Sequence, residues 1–253
     1  MKRNHRKIGI LLGIFVTMTS ASCILPSCSD DEVVYYRVGN VAPDCISMGV
    51  VRDGRIETDR GNVLVPDDSS VGHDLTEGER VFIRGRIRDR EDENTFRVRI
   101  EKYYQLLVKP YLRSSDSEEE ELGDDPVDVE NAWFGGGYLN ARLALEHNAS
   151  SGTSHRIELV YEDAASNADT ARFTLRHNAY ADTVRTRIGR ATVSFDLENL
   201  LPEGQEKIYV VLQWRWYDRA GRLTTYEDSG YYDVSSSEDP DDGQTDEENI
   251  SIH

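Results

Sequence analysis

Three histidines stand where imidazoles could do chemistry together. His147 ends the segment Tyr138 to His147, His155 opens the segment to Asp163, and His177 closes Arg172 to His177. Each falls in the apolar phase of its segment: His147 with Leu143 and Leu145, His155 with Ile157 and Leu159, His177 with Phe173 and Leu175. Alternation at period two marks a half-buried strand. A loop over 148–154 would set His147 opposite His155, and a second hairpin would bring His177 beside His155. Three imidazoles so placed suit zinc or copper, because zinc is satisfied by three His and a water. The plainer reading is three buried imidazoles bonded to backbone, so the expectation is no cofactor, with zinc as the alternative.

A second constellation is cationic. Arg84, Arg86 and Arg88 share one side of the segment Val81 to Asp89, and Arg97 and Arg99 share the same side of Thr95 to Tyr104. Like charges facing one another on adjacent strands are unfavourable without counterions. Guanidinium forks grip carboxylates and phosphates bidentately. An anionic glycan or lipopolysaccharide phosphate is one possible counterion; the internal alternative is Asp89, Glu91, Glu101 or the acidic run Asp116 to Asp125. A formal charge of −18 argues against nucleic acid, which is bound chiefly through its phosphates by Lys and Arg. The chain lacks a Gly-x-Ser-x-Gly elbow, a His-Glu-x-x-His helix motif, a phosphate-cradling glycine loop and paired-cysteine zinc spacing, so no enzyme is expected. Near the C-terminus "EDPDDGQTDEEN" fails as a calcium loop, since Pro240 and Asn249 occupy ligand positions. Trp214 and Trp216 share phase with Val210 and Leu212 and read as core. Tyr217, Tyr231, Tyr232 and the stretch Trp133 to Tyr138 are the candidates for exposed aromatic platforms.

A third group of residues speaks of address. Lys2, Arg3, Arg6 and Lys7 precede eleven mostly apolar residues, Ile8 to Met18, too few for the roughly 20 that span a bilayer. Residues 1–27 read as a secretory signal. Leu25-Pro26-Ser27-Cys28 resembles the bacterial lipobox, with Cys28 as the lipidated residue and acyl chains holding the protein to the membrane. The acids in Ser29 to Glu32 resemble the export signal that sends Bacteroidota lipoproteins to the outer face of the outer membrane. The expected location is therefore the outer membrane, facing the cell surface rather than the periplasm. With Cys23 removed and Cys28 lipidated, Cys45 is left without an intramolecular disulfide partner, and it reads as a small buried residue. Asp169-Thr170-Ala171 and Asp182-Thr183-Val184 resemble an O-glycosylation sequon of Bacteroidota secreted proteins, which makes Thr170 and Thr183 candidate acceptors.

The elements that must hold these groups are strands. Two acidic blocks, seven acids over Asp116 to Asp125 and eight over Asp233 to Glu248, divide the chain, because runs of like charge repel and stay solvated. The expected organisation is a signal over 1–27, a lipidated acidic tether over 28–32, a first domain over 33–114, an acidic linker over 115–126, a second domain over 127–233 and an acidic tail over 234–253. Short alternating segments in the first domain suggest a small closed barrel. Six or seven in the second, the last two joined by the turn Asp218 to Arg222, suggest a β-sandwich.

The whole expected mature chain resembles the NigD-like lipoproteins of the Bacteroidota. The match rests on "GERVFIRGRI" in the first domain and on "HRIELVYED", "FTLRHNAYAD" and "ATVSFDLENL" in the second. The resemblance implies an all-β fold, an oligonucleotide/oligosaccharide-binding (OB)-type barrel followed by an immunoglobulin-like β-sandwich, and supplies no catalytic residues. The expected function is a non-enzymatic envelope lipoprotein, a binding or interaction module for a glycan or an envelope protein. The alternatives are a metal-binding protein built on the three histidines and, from the family name, a bacteriocin-associated accessory or immunity protein.

Overall fold

The computed structural model describes residues 44–71, 75–116, 122–150, 152–180, 182, 184 and 186–233. The signal, Cys28, the tether, the first residues of the expected first domain over 33–43, Thr183 and the tail over 234–253 lie outside the described residues.

Strands β1 (Asp44–Arg52), β2 (Arg55–Thr58), β3 (Val63–Pro66), β4 (Arg80–Arg90) and β5 (Thr95–Gln105) close into a barrel of order β1-β2-β3-β5-β4, with β4 returning to β1. Only the β3–β5 neighbours in it run parallel. This is the five-stranded closure of an OB-type barrel. Alternate residues point inward, so Val51, Ile56, Leu64, Val81, Ile83, Phe96, Val98 and Ile100 are buried. Two register shifts between β4 and β5, at Arg84/Gly85 and Ile87/Asp89, bend these long strands around the barrel. A Cβ at Gly85 would collide with the Arg99 carbonyl, so the closest strand approach needs a residue without a side chain.

The second half is a sandwich. Its strands are β6 (Leu107–Pro110), β7 (Leu112–Arg113), β8 (Asp128–Gly135), β9 (Tyr138–His147), β10 (Arg156–Tyr161), β11 (Thr170–Asn178), β12 (Arg187–Asp196), β13 (Lys207–Tyr217) and β14 (Leu223–Asp233). One sheet has the order β14-β13-β11-β10-β7 and the other β6-β12-β9-β8. Residues 107–113 pass from one sheet to the other: β6 pairs with β12, and after Pro110 the chain turns so that β7 pairs with β10. The barrel therefore gives way to the sandwich just after Gln105, earlier than the expected boundary at Ser114. β11 and β13 are parallel neighbours because β12, which connects them, crosses to the opposite sheet. Leu143, Leu145, Ile157, Leu159, Phe173, Val193, Phe195, Val210 and Leu212 fill the space between the sheets.

Barrel and sandwich fall in one compact unit. Met48, Phe82 and Leu106 pack on Trp133 of β8, with Ile46 and Tyr104 beside them. At the same junction Arg80 is 2% exposed. Its guanidinium donates to Asp59 Oδ1 at 2.8 Å and Oδ2 at 2.6 Å, to Ser194 Oγ at 2.9 Å through Nε, and to Asn140 Oδ1 at 3.0 Å. The Tyr138 ring lies 4.0 Å below it. One barrel arginine thus binds a barrel carboxylate and two sandwich side chains, out of water. Gly136 closes the knot: its φ is +60° and a Cβ there would strike Asp59 Oδ1.

The acidic linker, expected as a solvated tether, docks on the sandwich along its described part. Leu122 is buried, Arg176 Nε donates to the Gly123 carbonyl at 2.8 Å, Asp124 pairs with Arg215, and Asp125 accepts from Ala179 N at 2.8 Å. An apolar anchor and two arginines overcome the mutual repulsion of the acids.

Candidate functional site

β10 and β11 form a hairpin in which Ile157 faces His177. That pairing brings His155, just ahead of β10, against His177: His155 Nδ1 lies 2.9 Å from His177 Nε2. The other nitrogens face outward along a chain. His177 Nδ1 is 2.9 Å from the Pro126 carbonyl, and His155 Nε2 is 3.3 Å from Asp182 Oδ2. Both rings are essentially buried, 1% and 2% exposed. A carbonyl can only accept, so His177 carries its proton on Nδ1 and presents a bare Nε2. His155 Nδ1 must then donate, and a proton between His155 Nε2 and the Asp182 carboxylate completes the chain. Burial holds His177 down to a pKa of about 4, against the lift from its bond to Pro126.

His147 does not join them. β9 and β10 lie in opposite sheets, and His147 pairs with Arg187 of β12. The loop over 148–154 therefore crosses between sheets instead of closing a hairpin, and the three-histidine convergence expected from alternation fails at this point. Among the described residues no three His, Cys, Asp or Glu side chains are grouped to hold a metal ion. The geometry disfavours one on its own terms, since the His177 Nε2 lone pair already accepts from His155. Asp182 was invisible as a partner in the sequence, because its loop has no periodicity.

The arginine face meets internal acids. Arg86 Nε donates to Glu101 at 3.0 Å, Arg97 Nε to Glu91 at 3.1 Å, and Arg88 lies 3.6 Å from Asp67. Arg86 stands opposite Arg99, and Arg84 opposite Lys102. The described residues of the acidic linker over 122–125 are bound to the sandwich instead. Arg80, in the same phase at the start of β4, was missed. The signal was Phe82: an apolar residue in the outward phase of a barrel strand announces that something covers it.

The aromatic candidates divide. Trp214 is buried and Trp216 packs against the core, as expected, but Trp133, Phe134 and Tyr232 are buried as well. Tyr231 alone among them is well exposed, at 64%. Cys45 is half-buried on β1. Thr170 is half-buried at the start of β11.

The family model of the NigD-like C-terminal β-sandwich domain matches residues 109–227. The sandwich half of the chain is a NigD-like C-terminal β-sandwich domain. A NigD-like immunity protein from Bacteroides caccae is 22% identical with TM-score 0.58, covering 79% of this chain and 99% of that one. A protein from Parabacteroides distasonis described as toxin-related is 25% identical with TM-score 0.58, covering 76% and 94%. A protein from Bacteroides fragilis described as a lipoprotein is 11% identical with TM-score 0.56, covering 78% and 100%. A comparison with curated proteins finds no match.

Among the described residues this NigD-like sandwich is open along one side. β14 and β8 are the edge strands there. The sheets meet through Phe134 and Tyr232, whose ring centroids are 5.4 Å apart. Beyond that contact the inward positions of β14 are Asp228 and Gly230, opposite Leu212 and Val210. Neither supplies an apolar side chain. A cleft of about 160 Å³ remains, with Val210 and Leu212 on one side, Phe134 and Leu139 on another, and Asp228 and Tyr231 at its mouth. No helix among the described residues is long and apolar enough to cross a membrane.

Proposed function

We propose that this protein is a surface-facing outer-membrane lipoprotein, anchored through Cys28, that works as a non-enzymatic binding module for an envelope protein or a glycan. The observation that carries this reading is where the polar chemistry goes. Its most buried ionisable groups are consumed by one another: Arg80 by Asp59, His155 by Asp182 and His177. The open cleft holds one carboxylate, Asp228, and the neighbouring Ser229 hydroxyl is bonded to Tyr209 at 2.7 Å. What is left for function is surface: a sheet edge, a cleft and the barrel face around Arg84 and Arg99. The lipobox and the lipoprotein description of the Bacteroides fragilis structure support the anchor. The immunity and toxin-related descriptions of two similar structures favour a second reading, an accessory or immunity role beside a bacteriocin, which is also work by binding.

The test is made in cells. Palmitate labelling should be lost in Cys28→Ala with the protein released to the soluble fraction, and protease added to intact cells should digest the wild type. Labelling that survives Cys28→Ala, or full protection from external protease, would contradict the anchor or the facing. Native protein purified after surface cross-linking should carry a glycan or a second envelope protein; none at all would contradict the binding role.

A further inference from the structure

Resting on that binding role, the geometry points to β14 as the binding element and to an extended, basic peptide segment of another protein as its ligand, added as a further strand beside β14 with one apolar side chain seated in the cleft. Among the described residues β14 is an edge strand, in unbroken register with β13 over its full length, from Leu223 to Asp233. Edge strands are normally blunted by proline, bulges or shortness, since their unpaired N–H and C=O groups template another strand. β14 has none of these: it runs 11 residues without proline or register shift, and its guard against strands of like kind is acidic charge, Asp228 in the inward phase with Glu227 and Asp233. The parallel edge on the other sheet, β8, is shorter and carries a shift between Val129 and Asn131.

Two further observations fix the occupant. The inward phase of an added strand would lie over the cleft that Asp228 and Gly230 leave open, so one of its alternate side chains can enter the pocket whose floor is Val210, Leu212 and Phe134. Strand addition works in this way elsewhere, with main-chain bonds supplying affinity and pockets for alternate side chains supplying choice. Charge fixes the rest. Leu223 to Asp233 holds Glu227, Asp228 and Asp233 and no Lys or Arg. A second copy of β14 would set acids against acids across the pair, which is unfavourable; a strand bearing Lys or Arg is complementary. A row of backbone donors and acceptors is matched by another backbone and not by a sugar.

The experiment uses the purified, lipidated full-length protein in detergent and two fluorescent ten-residue peptides. One alternates Lys with Val and Tyr, and the other carries Glu in place of each Lys. Binding is read by anisotropy and by amide hydrogen exchange. The basic peptide should bind and slow exchange over residues 223–233, and the acidic one should bind at least tenfold more weakly. Gly230→Leu fills the cleft from a position where a Cβ sits in ordinary contact with Phe134, and should weaken the basic peptide at least tenfold while leaving thermal stability unchanged. Asp228→Lys should weaken it as well. Equal binding by Gly230→Leu, slowed exchange on the barrel arginines instead, or no binding of the basic peptide up to 1 mM overturns the proposal. Slowed exchange on β14 with a doubled mass and no peptide overturns it in favour of self-association. If cells yield a cross-linked partner but these variants do not affect it, β14 is the wrong surface while the binding role stands.

Discussion

At the scale of the residue, the two buried polar clusters behave differently. Arg80 and Asp59 are an ion pair with side chains 1% and 6% exposed, and removing one member leaves an uncompensated charge, typically at a cost of about 3–5 kcal/mol. Arg80→Ala should lower unfolding free energy by that order in denaturant titration, and Arg80→Met with Asp59→Leu should recover part of it; an unchanged midpoint in the single variant would contradict the knot. His177 acts through pH. Its folded pKa, about 4, lies below the ordinary value near 6.5, so the folded state disfavours the protonated form. The contribution is intact above about pH 6.5, declines as pH falls toward about 4, and amounts to about 3 kcal/mol over that span. Asp125 and Asp182 face the pair of rings and moderate the effect. Wild-type stability should drop between pH 6.5 and 4.5 by more than that of His177→Ala, measured by chemical denaturation; parallel curves would show that burial of this imidazole is not what sets the slope. The sequence placed His155 and His177 together because both sit in apolar phase on one hairpin. It could not place Asp182 or Pro126, which come from segments without periodicity.

At the scale of the element, alternation carries most of what could be foreseen. β4, β5, β10, β11 and β13 follow the period of their apolar residues closely, since a strand with one buried face must alternate. Sheet membership does not follow from period. β9 and β10 alternate alike, yet one goes to each sheet, and that single fact separates His147 from the other two histidines. The linker misleads for a different reason: seven acids over Asp116 to Asp125 outweigh Leu122 in composition, while Leu122, Arg176 and Arg215 decide its fate in space. Gly123 shows how tightly it docks. Its φ is +71° and a Cβ would collide with the His177 carbonyl and Asn178. Gly123→Ala should therefore speed amide exchange over 122–127 and cost about 1–3 kcal/mol, as strain at a left-handed position does; exchange identical to wild type would mean the linker is held elsewhere.

At the scale of the whole molecule, the barrel and sandwich are joined by apolar packing around Trp133 and by the Arg80 knot. Such a junction should make them melt together, with one calorimetric transition in the wild type and two in Gly136→Val, whose side chain would force Asp59 out of the knot. One transition in both would show that the apolar packing alone couples them. Joined in this way, the barrel holds β14 of the sandwich in a constant orientation relative to itself. The most direct measurement is photo-cross-linking on living cells, with a benzophenone side chain in place of exposed Thr225 on β14, compared with one in place of Arg99 on the barrel. The account predicts a discrete protein adduct from position 225 that disappears when Gly230→Leu is added, and none from position 99. Adducts from position 99 alone, or an adduct at 225 indifferent to Gly230→Leu, would contradict it.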